Sequence, residues 1–144
     1  MEFPVKTGAP ARQRTACAVV PVFEGKPLAG PAREIDFACG GLLKQLLRSG
    51  EASAELGRCY LVPQLQGAGA ARALLVGCGK PANFEAKQFR TALTAAARAL
   101  KNAGLSEAIS YLAAAAPEDI NAYYAARLTV ETTRAACYQF DELK

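Results

Sequence analysis

Along this chain of 144 residues, apolar positions come in two forms: short unbroken runs and longer one-sided stripes. Ala73-Leu74-Leu75-Val76 is an unbroken run, closed by Gly77 and Gly79. Such a run suits a strand covered on both faces, as in a parallel or mixed sheet between helices. From Ala86 the apolar positions fall instead at Phe89, Leu93, Ala96, Ala97 and Leu100, the spacing of one face of an amphipathic helix. Pro81 and Asn83 punctuate the passage between the two. The pattern therefore predicts a strand–turn–helix unit, its helix running from about Asn83 to Ala103 and ending at Gly104, a residue suited to a left-handed cap.

The rest of the chain reads as elements built to pack around that unit. Glu2 to Thr7 is expected as a short edge strand, where Pro4 is tolerated because one side is unpaired. After a basic loop from Gly8 to Thr15, the stretch Ala16 to Phe23 predicts a central strand, weakened towards its end by Pro21. Glu24 to Gly30 is loop, and Pro31 suits the first turn of a helix. Ile35, Ala38, Leu42, Leu43, Leu46 and Leu47 line one face of that helix up to Gly50. Gly40-Gly41 interrupts it. Two glycines inside a helix cost about 2 kcal/mol relative to alanine, so a break or a close backbone approach is expected there. Arg58 to Val62 predicts a further strand stopped by Pro63, Gly67 to Ala71 a small-residue turn, and Ala108 to Leu112 a fifth strand. Pro117-Glu118-Asp119 opens a last helix with Ile120, Tyr123, Tyr124, Leu128, Ala135 and Tyr138 as its apolar stripe. Strands interleaved with helices imply an α/β fold with helices on both faces of one sheet, in a single domain covering residues 1–144.

Composition narrows the chemistry more than the fold. Hydrophobic residues make up 51% and charged residues 21%, ordinary for a globular domain. Seventeen Lys and Arg against thirteen Asp and Glu give +4, with a pI near 8.9, but no run of four or more cations occurs. There are no histidines. That removes Ser/His/Asp and Cys/His catalysis and the commonest transition-metal ligand. The five cysteines, at 17, 39, 59, 78 and 137, form no Cys-x-x-Cys pair and read as reduced thiols of a cytoplasmic protein. The start Met1-Glu2-Phe3-Pro4 lacks the pattern of a signal peptide, and no apolar run reaches membrane length, so no membrane partner is expected.

Of the candidate sites, Gly77-Cys78-Gly79-Lys80 is the most tempting, since glycines after a strand, a lysine and a following helix are parts of phosphate sites. Gly77, Gly79 and Lys80 are thus candidates for anion binding. The pattern fits neither Gly-x-Gly-x-x-Gly nor Gly-x-x-x-x-Gly-Lys-Ser/Thr, however, and a structural turn is the competing reading. Gly40-Gly41 divides in the same way between ligand approach and close packing. The acidic pairs Glu34/Asp36, Glu118/Asp119 and Asp141/Glu142 fall at expected helix starts or the chain end, where capping and solvation explain them. Cys78 has no evident activating partner. No catalytic residue, metal ligand or cofactor-binding residue is therefore assigned from the residues.

The order of fragments carries a resemblance. Glu2-Phe3, Cys17-Ala18-Val19-Val20-Pro21-Val22-Phe23, Ile35-Asp36 followed by Gly40-Gly41, Leu56-Gly57, Arg72-Ala73-Leu74-Leu75-Val76-Gly77-Cys78-Gly79-Lys80, Phe89-Arg90 and Tyr138-Gln139-Phe140-Asp141-Glu142-Leu143-Lys144 stand in sequence. Together they resemble the N-terminal domain of the leucyl (cytosol) aminopeptidase family over essentially the whole chain. The resemblance implies a three-layer, macro-domain-like mixed sheet of about five or six strands. It implies a parent that is a cytoplasmic, homohexameric exopeptidase using two zinc or manganese ions. It places the metal ligands and the catalytic lysine and arginine in a larger C-terminal domain, whose Asn-Thr-Asp-Ala-Glu-Gly-Arg signature does not occur here. The expected role of this chain is accessory: assembly, access to active sites, or partner binding, with its own catalytic domain as first partner. Two other classes are implied as alternatives, DNA binding and macro-domain-like binding of nucleotide or ADP-ribose.

Overall fold

The computed structural model describes residues 9–117, and their order of elements follows the apolar pattern. β1 is Ala18–Val22, α1 Gly30–Ala38, α2 Leu42–Ser49, β2 Cys59–Val62, β3 Ala73–Gly77, α3 Ala86–Asn102 and β4 Ile109–Ser110. Short 3-10 turns occupy Pro10–Arg12, Pro81–Asn83 and Leu112–Ala115. The four described strands make one mixed sheet in the order β2-β3-β1-β4. β1 is parallel to both β3 and β4, whereas β2 runs antiparallel to β3. The expected edge strand Glu2–Thr7 and the last helix from Pro117 onward lie outside the described residues, apart from Pro117 itself.

The unbroken apolar runs are explained by what covers them. Successive side chains of a strand point to opposite faces, so a run apolar at every position feeds two cores at once. On one face Cys17, Val19, Leu74, Val76 and Cys78 meet Phe89, Ala92, Leu93, Ala96 and Leu100 of α3. On the other, Ala18, Val20, Val22, Ala73 and Leu75 meet Ile35 of α1 and Leu43 of α2. Helix, sheet and helix pair make three layers. Phe23, Phe84 and Phe89 extend the first core as two edge-to-face ring contacts, with centroids 5.0 and 6.0 Å apart.

Gly40 and Gly41 do break the expected long helix into two. Both take positive φ (75° and 85°), a region costly for other residues. The turn is held by Asp36, a carboxylate 8% exposed. Its Oδ1 accepts the N–H groups of Leu43 at 2.8 Å and Lys44 at 3.2 Å, satisfying first-turn donors of α2. This corrects the reading of Asp36 as sitting at a helix start: it lies late in α1 and reaches forward to cap the next helix.

Several element boundaries also differ. α3 begins at Ala86 rather than near Asn83, because Pro81–Asn83 forms its own 3-10 turn and the Glu85 N–H donates to Gln88 Oε1 at 3.2 Å, closing the helix start. β1 loses Ala16, Cys17 and Phe23 at its ends. β4 keeps only Ile109 and Ser110 of the expected Ala108–Leu112, since Leu112 already opens a 3-10 turn.

Candidate functional site

The carboxyl ends of β1 and β3 lie side by side and differ in what their backbone polar groups do. After β3 the turn Gly77 to Lys80 is clamped from both sides. The Gly77 N–H donates to the Arg58 carbonyl (2.7 Å), Cys78 N–H to Val22 (2.9 Å) and Gly79 N–H to Ala54 (2.8 Å). In return Gly77 and Gly79 carbonyls accept from Gly57 and Glu24, each at 3.0 Å. A phosphate-binding loop needs amides aimed at the ligand, and the amides of Gly77, Cys78 and Gly79 are engaged by protein carbonyls. The glycines meet a packing demand: a Cβ on Gly77 would collide with the Glu55 carbonyl oxygen, and Gly79 has φ of 75°. Lys80 is exposed. The Leu56-Gly57 fragment is the other half of this clamp.

Beyond β1 the situation is reversed. A cleft of about 640 Å³ opens there, walled by Pro21, Phe23, Leu28, Phe84, Ala115 and Pro117 among others. It lies where the strand order changes direction, since the chain leaves β1 towards β3 on one side and returns as β4 on the other. Ligands in open α/β sheets bind at such switch points. The main-chain ladder shows why space is left. On the outer side of β1 the Ile109 N–H donates to the Cys17 carbonyl at 2.9 Å and the Tyr111 N–H to Val19 at 2.8 Å. Pro21 comes next in that alternation and has no N–H to return. β4 stops, and the chain turns away through Leu112–Ala115. Sequence pattern alone shows only that Pro21 weakens the strand; the prolines at 21, 27, 31, 81 and 117, which all line this cleft, are the signal that could have located it.

The described thiols are held towards their protonated form. Burial pushes Cys78 up to about 12 and Cys17 up to about 11, the latter although Arg72 pulls it back. Burial also pushes Cys59 up to about 11. Among the described residues no group of three or more His, Cys, Asp or Glu is placed to hold a metal ion, so these residues do not fit the two-metal centre the resemblance implies for a parent. Among them, too, no helix is long and apolar enough to cross a membrane.

One charged surface stands out. α3 contains no Asp or Glu, and Lys87, Arg90, Arg98 and Lys101 fall within about 80° of arc over roughly 21 Å of its length.

The fold is macro-domain-like: the chain superposes on the macrodomain of Mycobacterium tuberculosis DarG with a TM-score of 0.69, covering 93% of this chain and 91% of that one. At 12% identity the likeness concerns the fold alone. The model of the cytosol aminopeptidase family, N-terminal domain, matches residues 19–144, and the chain belongs to that family. It is 42% identical over 144 residues to a probable cytosol aminopeptidase of Halorhodospira halophila, 38% to one of Idiomarina loihiensis and 37% to one of Aeromonas hydrophila. All of this chain is covered in each comparison, but it spans only 29% of the length of those relatives.

Proposed function

We propose that this chain is the non-catalytic accessory domain of a cytoplasmic metal-dependent exopeptidase that releases N-terminal amino acids from peptides. The observation that carries the reading is the family match, made by a chain that spans 29% of its relatives' length. In this reading two manganese or zinc ions and every catalytic group belong to the larger catalytic domain, and the parent is a homohexamer. The domain serves assembly, control of access to the active sites, or partner contact. A two-metal hydrolase needs several convergent ligands and a group that polarises water or carbonyl, and in this reading those groups lie in the catalytic domain. The test is turnover of a leucine chromogenic substrate with added manganese or zinc. The 144-residue chain is expected to match the blank and the full-length parent to turn over; activity in the short chain overturns the reading.

An alternative, DNA contact, is favoured by the cationic face of α3. Four phosphate contacts would weaken binding on the order of a hundredfold between about 50 and 200 mM salt. Lys87→Glu with Arg90→Glu, both at exposed positions, is expected to abolish a mobility shift seen at low salt. Absence of any shift by the unaltered chain at low salt removes this alternative.

A further inference from the structure

We propose that the cleft beyond β1 takes a short extended peptide, bound as a continuation of the parallel ladder that β4 leaves unfinished, with its free carboxylate towards Lys26. The rung is specific. In a parallel pair each residue donates its N–H to one carbonyl and accepts the N–H two residues further along the partner. On the outer edge of β1 the rungs at Cys17 and Val19 are filled by Ile109 and Tyr111. The next would use the Pro21 carbonyl and the Phe23 N–H. β1 keeps its alternation this far, because Val22 accepts from Cys78 and Glu24 donates to Gly79 on the opposite side. Neither the Pro21 carbonyl nor the Phe23 N–H is bonded on the outer side among the described residues. One peptide residue supplies both partners at once.

Direction and charge then agree. A peptide parallel to β1 points its carboxyl end the way β1 runs, past Phe23 towards the Glu24–Gly30 loop. Lys26 of that loop lines the cleft, and among the described residues it is the one charged residue that does. Leu28, Phe84 and the five prolines form an apolar, conformationally stiff wall for a side chain. The volume of about 640 Å³ suits a di- or tripeptide, within the range of small-ligand sites. Strand addition of this kind draws affinity from main-chain hydrogen bonds and selectivity from side-chain pockets. Peptide binding here is independent of the peptidase reading: it is measured without turnover, so either can fail alone.

The experiment titrates the isotopically labelled 144-residue chain with Ala-Leu-Leu and follows backbone amides. Saturable displacement of the Phe23 amide resonance is expected, together with those of Ala114 to Ala116. Ala-Leu-Leu amide, which lacks the carboxylate, and an analogue methylated at every peptide nitrogen, which lacks the donors, are each expected to bind about fivefold more weakly. Lys26→Gln should erase the difference between acid and amide. The inference is overturned if Phe23 does not move at millimolar peptide, if the methylated analogue binds as well as the parent peptide, or if ADP-ribose moves the same resonances at lower concentration than the peptide.

Discussion

The turn after β3 and the cleft after β1 occupy equivalent places at the ends of neighbouring parallel strands. The turn has the residues of a ligand loop and the structure of a packed joint: the amides of Gly77, Cys78 and Gly79 serve Arg58, Val22 and Ala54, and a Cβ on Gly77 or Gly79 would meet Ala54, Glu55 or Leu56. The cleft has the residues of a damaged strand end, and there a donor and an acceptor have no partner among the described residues. A glycine motif reports that backbone comes close, and does not report what comes close. A proline reports a missing donor, and the consequence depends on which neighbour that donor would have met.

The largest effect that separates the two ends is expected from Gly77→Ala. Its Cβ would meet the Glu55 carbonyl oxygen and lie 2.9 Å from the Ala54 and Glu55 carbonyl carbons, all backbone atoms that cannot swing aside. Loss of about 3 kcal/mol or more in urea unfolding is expected, typical of severe overpacking. A loss below about 1 kcal/mol would mean that the clamp is loose enough to admit a ligand. Next comes pH. The Cys78 thiol, pushed by burial from 9.0 to about 12, binds its proton more tightly folded than unfolded. Its contribution is therefore complete below pH 9 and is lost as pH climbs towards 12. By about pH 10.5 the loss reaches about 2 kcal/mol for this group, at about 1.4 kcal/mol per pH unit. Cys78→Ala should flatten that part of the stability curve, whatever cavity penalty it adds at neutral pH; an unchanged slope refutes the burial argument.

Much of this architecture is legible in the residues because it depends on local signals. Ala73–Gly77 and Ala86–Asn102 follow directly from an unbroken apolar run and a helical stripe. The break at Gly40-Gly41 is legible because positive φ is a backbone property of two adjacent residues. What escapes depends on partners distant in sequence. Nothing near Gly77 reveals that residues 54–58 will consume its amides. Nothing near Pro21 reveals that β4 will stop at Ser110 and leave the next rung open. Asp36 reads as a helix-start residue for the same reason, since its carboxylate reaches across the Gly40-Gly41 turn to Leu43.

Gly41→Ala tests whether positive φ alone, without crowding, explains a glycine. Nothing lies within 4 Å of a Cβ placed there, so only the backbone strain at φ of 85° remains. A cost of about 1 kcal/mol is expected, well below that of Gly77→Ala. Equal costs at the two sites would remove the distinction between a strained turn and a packed joint.

The smallest effect, and the sharpest for the cleft, is expected from Pro21→Ala. The substitution frees φ in the unfolded chain, which costs about 0.4–1 kcal/mol, and restores an N–H on the side facing the Tyr111 carbonyl. That carbonyl already accepts from Ala114 at 3.1 Å and keeps a further lone pair. One new hydrogen bond contributes about 1 kcal/mol, so the two changes offset each other and stability should stay within about 1 kcal/mol of the parent chain. The Pro21 carbonyl and the Phe23 N–H are main-chain groups present in both versions. Affinity for Ala-Leu-Leu should therefore change less than about twofold, because the open rung is set by where β4 turns away and the ring of Pro21 contributes only wall. A large gain in stability with loss of peptide binding would show the opposite: that the missing N–H alone keeps β4 from closing over the cleft.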